Sequence, residues 1–509
     1  MKLTRLKIKD HLLLHNLDMQ FERPGRLDEN ESYKLDFLVG VNGSGKSTLL
    51  RTLVEIFVSL QEGVGAEYEY LLQYELDKDD HPTQVSIDKH WNPGENTWHI
   101  VSTILSSDGT TTEQYNSVLD QQYLPQQIIV YTTGSETEWT NLLDQSDRPT
   151  YFPKAPEEII KDPIKRFIHE MPGHINEIKN APEASPEEPP FLLVKGSRLN
   201  VITLCGLLRY LSEPEEPSKK PLASVLEAIG IEKIPGFSLR FRMFDRLSPK
   251  TTYEELLKLQ NTEIRQASAR LLTFDLTQKN DLATTVLKQY NGAYGLYQKL
   301  DTLQENDATG EPTLQQVNIF LQRNEPEING NELEEENHIP GVFLLDWLSD
   351  GERAFLSRMA LLAMLDMQDS LIILDEPEVH FNDYWKREVV QFIDLLAKGY
   401  ANQILLTTHS TIVISDVSAN QVLLFIKDDD GYSKVIDTHA PLFGADPSYV
   451  MTNLLGTGRS GGTYSNQYLK EALERNDKDE LQKLMNIVGP GYWRFRISEQ
   501  LEDQDALSD

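Results

Sequence analysis

The sequence predicts an α/β protein built around a phosphate-binding loop, and three stretches carry that expectation. Residues 37–48, FLVGVNGSGKST, run an apolar strand (Phe37, Leu38, Val39) into a glycine-rich turn and then into the apolar helix TLLRTLVEIF. Residues 371–377, LIILDEP, read as a buried strand that ends in two adjacent carboxylates. Residues 403–410, QILLTTHS, read as another that ends at a histidine. Between those two, Val389, Phe392, Ile393 and Leu396 keep the i, i+3, i+4, i+7 spacing of an amphipathic helix.

Composition bounds the class. At 509 residues and 58.1 kDa, two or three domain-sized units are expected. The longest apolar runs are strand-sized, so no membrane span is expected. The start, MKLTRLKIKD, alternates charge and apolarity and reads as a strand rather than a signal peptide. The single cysteine, Cys205, excludes internal disulfides, and its setting VITLCGLLRY marks it as a core thiol. A cytoplasmic location is the expectation. The net charge of −32 opposes sequence-independent binding to a polyanion except at a local basic patch. It suits a basic partner protein, or solubility at high concentration.

Taken in order, residues 1–22 read as a hairpin with Leu6 and Ile8 on one face and Arg5, Lys7 and Lys9 on the other. That basic face could meet a nucleic-acid backbone, although a solvated sheet face is the plainer reading. Short alternating segments from 66 to 133 predict an antiparallel β-layer, closed by the buried strand of IIVYTTGSE. From 146 to 340 the chain turns mainly helical, with Pro/Glu-rich breaks at 181–190 and 213–221. Thr252-Tyr-Glu-Glu255 reads as a capping box, and 325–336 as a solvated acidic loop. Dense α/β alternation returns over 341–440. Asp446-Pro447 then opens a helix, and a helical tail starts near 466. The expected units are therefore 1–145, 146–340, 341–465 and 466–509.

The chemistry concentrates at four places. Gly40-Val41-Asn42-Gly43-Ser44-Gly45-Lys46-Ser47 fits GxxxxGK[ST], whose glycines let consecutive N–H groups face phosphate oxygens at a helix N-terminus. Lys46 would reach the β- and γ-phosphates, Ser47 would ligate Mg²⁺, and Thr48 completes the loop. Leu348-Ser349-Asp350-Gly351-Glu352 opens a helix with a small hydroxyl residue and a glycine, an anion-binding end. Asp375 would hold Mg²⁺ through water, and Glu376 would orient and deprotonate an attacking water. His409 ends its strand where a γ-phosphate would lie, whereas His380 in the loop EVHFND is read as structural.

With that order and spacing, the chain resembles the ABC-type ATPase superfamily in its SMC and RecF branch, over roughly 1–145 and 341–465. GVNGSGKS is similar to the Walker A, LSDGE to the signature, LIILDE to the Walker B, EVHFND to the D-loop and TTHS to the switch histidine. The resemblance implies an ABC-type head, with a mixed sheet and an antiparallel β-layer, that binds ATP and Mg²⁺ and hydrolyses ATP. It also implies two heads paired head-to-tail. Ser349 and Gly351 of one, with Glu352 of the same turn, would serve the nucleotide held by Lys46 of the other. Asp350 replaces the first signature glycine. No Q-loop glutamine is assigned, because Gln126 and Gln127 precede the strand IIVYTT where the family's glutamine follows it.

A narrower resemblance is to the ATPase subunits of the PARIS and Septu anti-phage systems. It is carried by YTTGSETEW, WLSDGERAFLSRMALL, LDEPEVHFNDYWKREVV and FGADPSYVMTNLLG. It implies an oligomeric sensor and scaffold that controls a separate effector nuclease, TOPRIM-type or HNH-type, in response to a phage trigger protein. The chain shows no nuclease constellation of its own. The alternative is a RecF-type DNA-repair ATPase, which would need Arg5, Lys7 and Lys9, with Arg494 and Arg496, to outweigh the acidic whole.

Overall fold

The chain opens with the expected hairpin, β1 (Lys2–His11) and β2 (Leu14–Gln20). The computed structural model describes residues 1–62, 66, 68–78, 81–115, 119–134, 136–143, 191–213, 221–242, 250–265, 269–277, 281–306, 311–323, 341–365, 367–438, 440–456 and 462–506. Leu6 and Ile8 are buried, and the basic face of β1 already has its counter-charges. Arg5 and Lys7 pair with Asp18 at 2.8 and 3.1 Å, and Lys9 with Glu69 at 2.8 Å.

Then follow β3 (Lys34–Gly40), α1 (Lys46–Glu62), β4 (Tyr70–Lys78), β5 (His81–Asn92), β6 (Thr97–Leu105), β7 (Thr111–Tyr115), β8 (Ile128–Thr132), α2 (Glu136–Leu143) and β9 (Phe191–Val194). The region 146–340 goes on with α3 (Leu199–Ser212), α4 (Pro221–Ala228), β10 (Ile231–Arg242), α5 (Lys250–Leu259), β11 (Thr262–Arg265), β12 (Ala269–Asp275), α6 (Leu282–Gln289), α7 (Ala293–Gln304) and β13 (Leu314–Arg323), and β14 (Val342–Leu344) follows it. The expected α/β alternation resumes with α8 (Asp350–Met364), β15 (Leu371–Asp375), α9 (Asp383–Ala397), β16 (Gln403–Thr408), α10 (Thr411–Ile414), β17 (Val422–Lys427) and β18 (Ser433–Asp437).

Among the described residues one large mixed sheet runs β7-β6-β5-β4-β1-β2-β18-β17-β3-β16-β15-β8-β9. The antiparallel layer and the parallel region are thus continuous, because β1 pairs with β2 on one side and β4 on the other. All of Leu371–Asp375 and Gln403–Thr408 is buried, as strands covered on both faces require. Leu49, Leu50, Leu53, Val54, Ile56, Phe57 and Leu60 of α1 share one core with Leu72, Tyr74 and Ile87 of the antiparallel strands and Val130, Ile373 and Leu405 of the parallel ones. Each such side chain contributes about 1.5–3 kcal/mol on burial. The helix behind the phosphate loop is therefore clamped between the two parts of the sheet.

The insertion's helices are joined by a second, antiparallel sheet, β11-β12-β10-β13-β14, which the reading of 146–340 as mainly helical did not include. Its signal is the period-two burial of Phe237, Leu239 and Phe241 against Val317, Ile319 and Leu321, strands far apart in sequence. Helix α5 begins at Lys250, so Thr252 lies inside its first turn rather than at the cap. Helix termini shift by one or two residues with small changes in the first hydrogen bonds. Residues 181–190, most of 213–221 and 325–336 lie outside the described residues.

The chain divides into Met1–Ala445 and Asp446–Asp509. In the second unit Asp446 caps α11 (Pro447–Asn453), with Pro447 in its first turn, ahead of the tail expected at 466. There α12 (Thr463–Arg475), α13 (Lys478–Ile487) and α14 (Tyr492–Ala506) bury Leu469, Ala472, Leu481, Leu484 and Ile497. The tail arginines are engaged, Arg494 with the Val488 carbonyl and Arg496 with Glu499.

Candidate nucleotide site

Strands β17, β3, β16, β15, β8 and β9 run parallel in that order, so their carboxyl ends share one edge of the sheet. Register sets the neighbours there: Gly40 lies beside Phe425, Val39 beside Thr408, and Asp375 between Thr407 and Thr132. Such an edge is where α/β sheets place ligands.

The loop from Gly40 to Ser47 crosses this edge and delivers the N-terminus of α1. A β-carbon on Gly40 would lie 2.4 Å from the Phe425 carbonyl oxygen, and one on Gly45 would lie 2.0 Å from Ser433 Oγ at a φ of +98°. Both positions need glycine for close approach, and the second also for its left-handed backbone. Asn42 and Gly43 are exposed at the tip, Ser44 and Lys46 are buried, and Ser47 and Thr48 are half-buried. The Lys46 ammonium folds back onto the Gly40 and Val41 carbonyls at 3.0 and 3.3 Å. Burial lowers its pKa, opposed by the nearby Glu376 and Asp375 charges. Ser44 Oγ is buried without a hydrogen-bond partner among the described residues.

Opposite the loop, Ser47 Oγ stands 3.4 Å from Asp375 Oδ1, too long for a strong O–H···O bond. Thr407 Oγ1 donates to the same carboxylate oxygen at 2.6 Å, and Thr132 Oγ1 to the other at 3.3 Å. Glu376 sits at a φ of +52°, its N–H donating to Thr407 Oγ1 at 2.9 Å. A non-glycine residue held there marks a constrained turn. Glu376 Oε1 lies 3.1 Å from His409 Nε2. Burial, then the Lys46 charge, pull the His409 pKa below its ordinary value, while Glu376 pulls it up. Lys46, Ser47, Asp375, Glu376 and His409 are thus gathered at one place from three strand ends.

The turn at 349–352 is built differently. Ser349 caps α8, accepting the Glu352 N–H, while Glu352 Oε2 accepts from Ser349 N at 2.9 Å and Ser349 Oγ at 2.7 Å. Glu352 Oε1 takes Arg323 at 2.7 Å, so its carboxylate is committed to the cap and to the insertion. Ser349 and Asp350 are exposed, and Gly351 lies close under the His380 carbonyl. Among the described residues no hydrogen bond or ion pair joins this turn to the phosphate loop of the same chain.

Several residues at the site escaped sequence reasoning. Thr407 and Thr132 were hidden inside TTHS and YTTGSE, where only the histidine and the strand drew attention. Arg358 of α8 donates to Tyr131 Oη at 2.7 Å and to the Val379 carbonyl at 2.8 Å, and lies 4.7 Å over Phe381. It binds the helix behind the signature-like turn to the loop after Glu376. Glu378 is buried, accepting from Thr408 Oγ1, and its second oxygen has no partner among the described residues. Desolvation raises its pKa. Gln127 is buried with its side chain bound to Tyr294 of α7 at 3.0 Å, so it serves the insertion rather than the nucleotide edge. In EVHFND, Asn382 caps α9 through the Trp385 N–H at 2.9 Å.

A family model described as "AAA domain, putative AbiEii toxin, Type IV TA system" matches residues 238–415. That span holds Ser349, Asp375, Glu376 and His409 but not Lys46. Among solved structures, the SMC head domain from Thermotoga maritima shares 13% identity over 86% of this chain and 100% of that one, with a TM-score of 0.31. An SMC head bound to the C-terminal winged-helix domain of ScpA shares 14% over 86% of this chain and 97% of that one, with a TM-score of 0.30. An SMC head with extended coiled coil bound to the C-terminal domain of ScpA, from Pyrococcus furiosus, shares 12% over 86% and 96%, with a TM-score of 0.28.

Proposed function

We propose that this chain hydrolyses ATP at a site shared between two copies, and that it acts as the sensor and scaffold subunit of a bacterial anti-phage complex. The observation that supports it most is the convergence of Lys46, Ser47, Asp375, Glu376 and His409 on one sheet edge. The loop N–H groups and Lys46 hold the phosphates. Ser47 and Asp375, left 3.4 Å apart, would hold Mg²⁺ with the phosphates, which needs no larger protein cage. When bound, the ion would neutralise charge on the β- and γ-phosphate oxygens. Glu376, fixed by Thr407 and His409, takes the proton of the attacking water, whose oxygen bonds to the γ-phosphorus as ADP leaves. A largely neutral His409 donates from Nε2 to the Glu376 carboxylate and keeps it facing the phosphates.

The exposed Ser349–Gly351 turn suits a role toward a second copy's nucleotide. The Glu376→Gln variant is expected to slow turnover at least tenfold and to accumulate ATP-bound dimers in size-exclusion chromatography. Parent-like turnover would refute the base assignment, and monomers at saturating ATP would refute the shared site. The defence role rests on the resemblance of the four segments quoted above. Its test is co-purification from the native host: a TOPRIM-type or HNH-type nuclease is expected, and a recombination factor would favour the repair alternative. That alternative gains nothing from β1, whose cations are neutralised by Asp18 and Glu69.

A further inference from the structure

The β17–β18 hairpin does more than extend the sheet. Its cross-strand pair Lys427 and Ser433 is laid along the phosphate loop, because β17 runs parallel to β3 with Phe425 beside Gly40. A β-carbon on Gly43 would stand 3.7 Å from Lys427 Nζ, and one on Gly45 would meet Ser433 Oγ at 2.0 Å. Ser433 Oγ is itself buried without a hydrogen-bond partner among the described residues. Lys427 is exposed at its strand end, and no described carboxylate pairs with it. In the acidic turn that follows, Asp428 to Asp430, Asp428 Oδ1 accepts from the Asp430 and Tyr432 N–H groups.

The Lys427 ammonium thus lies beside the tip of the loop, where it can meet a bound anion without giving up a protein partner. In a chain with net charge −32, a lysine left without a counter-ion at this spot is notable for its placement. We infer that Lys427 is a second nucleotide-binding cation, acting on the polyphosphate from the outer side of the loop while Lys46 acts from within. Its contribution is electrostatic, so it grows with the charge of the nucleotide and falls with added salt. This inference deepens the ATP-site reading and rests on it.

Isothermal titration of the full chain with MgATP, MgADP and adenosine at 50 and 200 mM NaCl tests it. Lys427→Ala is expected to weaken MgATP about three- to tenfold at the lower salt, to weaken MgADP less, and to leave adenosine unchanged. The gap between variant and parent should narrow at the higher salt, and Lys427→Arg should restore most of the affinity. Because the side chain is exposed, the variant should melt with the parent, and Lys427→Met with the same loss would exclude a packing effect. MgATP affinity within twofold of parent in Lys427→Ala, with binding abolished in Lys46→Ala, would overturn the inference and leave the site standing. No MgATP binding by the parent chain would overturn both.

Discussion

One hydroxyl serves both acidic residues of the site, which makes Thr407→Val an informative perturbation. Thr407 is fully buried; its Oγ1 donates to Asp375 Oδ1 at 2.6 Å and accepts the Glu376 N–H at 2.9 Å. Valine keeps the shape and removes both bonds. A hydrogen bond to a charged group is worth about 1.5–3 kcal/mol, and the neutral one to the Glu376 N–H about 1 kcal/mol. The expected cost is therefore about 2.5–4 kcal/mol, within the 5–15 kcal/mol or so that a domain ordinarily holds, so the variant should still fold. Asp375 would be left with the longer Thr132 and Ser47 contacts, and Glu376 would lose the anchor that fixes its left-handed turn. The assay pairs thermal melting with steady-state ATP hydrolysis across a Mg²⁺ series. A Tm lower by several degrees, turnover down tenfold or more, and a raised Mg²⁺ requirement are expected, with Thr407→Ser recovering most of each. A Thr407→Val protein with parent turnover and Mg²⁺ dependence would refute the idea that this hydroxyl organises the two carboxylates.

Two further outcomes follow from neighbouring side chains. Burial raises the Glu378 pKa, so the folded state prefers the protonated form, a preference that stabilises below the unfolded carboxyl's pKa and is lost as pH rises through the folded one. Glu378→Gln should thus raise the Tm at pH 7.5, with the gain shrinking toward pH 4; a gain that does not change with pH would count against a buried ionised carboxylate. Arg358→Met removes the two hydrogen bonds that hold Tyr131 and Val379 while leaving every residue of the Gly40–Ser47 loop in place. Turnover should fall several-fold with MgATP affinity within twofold of parent, and an equal loss in both would show that Arg358 does not act through the Glu376 loop.

The candidate nucleotide edge was legible because its parts are local: a loop, a strand ending in Asp375-Glu376, a strand ending in His409. Each is announced by a few adjacent residues, and the parallel order that unites them follows from buried strands alternating with helices. What stayed hidden was non-local. Phe237 and Ile319 pair across the second sheet from positions separated by three helices, and no short window contains that pairing. Thr407 looks like an ordinary strand residue until β15 lies beside β16 in register. Glu352 fits a capping box as well as it fits a signature, and only Arg323 from the insertion shows where its second oxygen goes.

Helix α8 shows how the site and the insertion are mechanically one. Its exposed N-terminal turn carries Ser349 and Gly351, its middle carries Arg358 to the loop behind Glu376, and its other side receives the insertion. There the hydroxyls of Thr203 of α3 and Ser357 share a hydrogen bond at 2.8 Å, and Gly206 lets the two helices approach until a β-carbon would lie 2.4 Å from the Ala360 carbonyl oxygen. The buried Cys205 sits in the same contact helix. Interiors packed this closely transmit displacement rather than absorb it. A shift of the Ser349 turn must therefore move either Arg358, and with it the loop after Glu376, or α3, and with it the insertion. The tight Gly206–Ala360 approach leaves no slack for α8 to move alone.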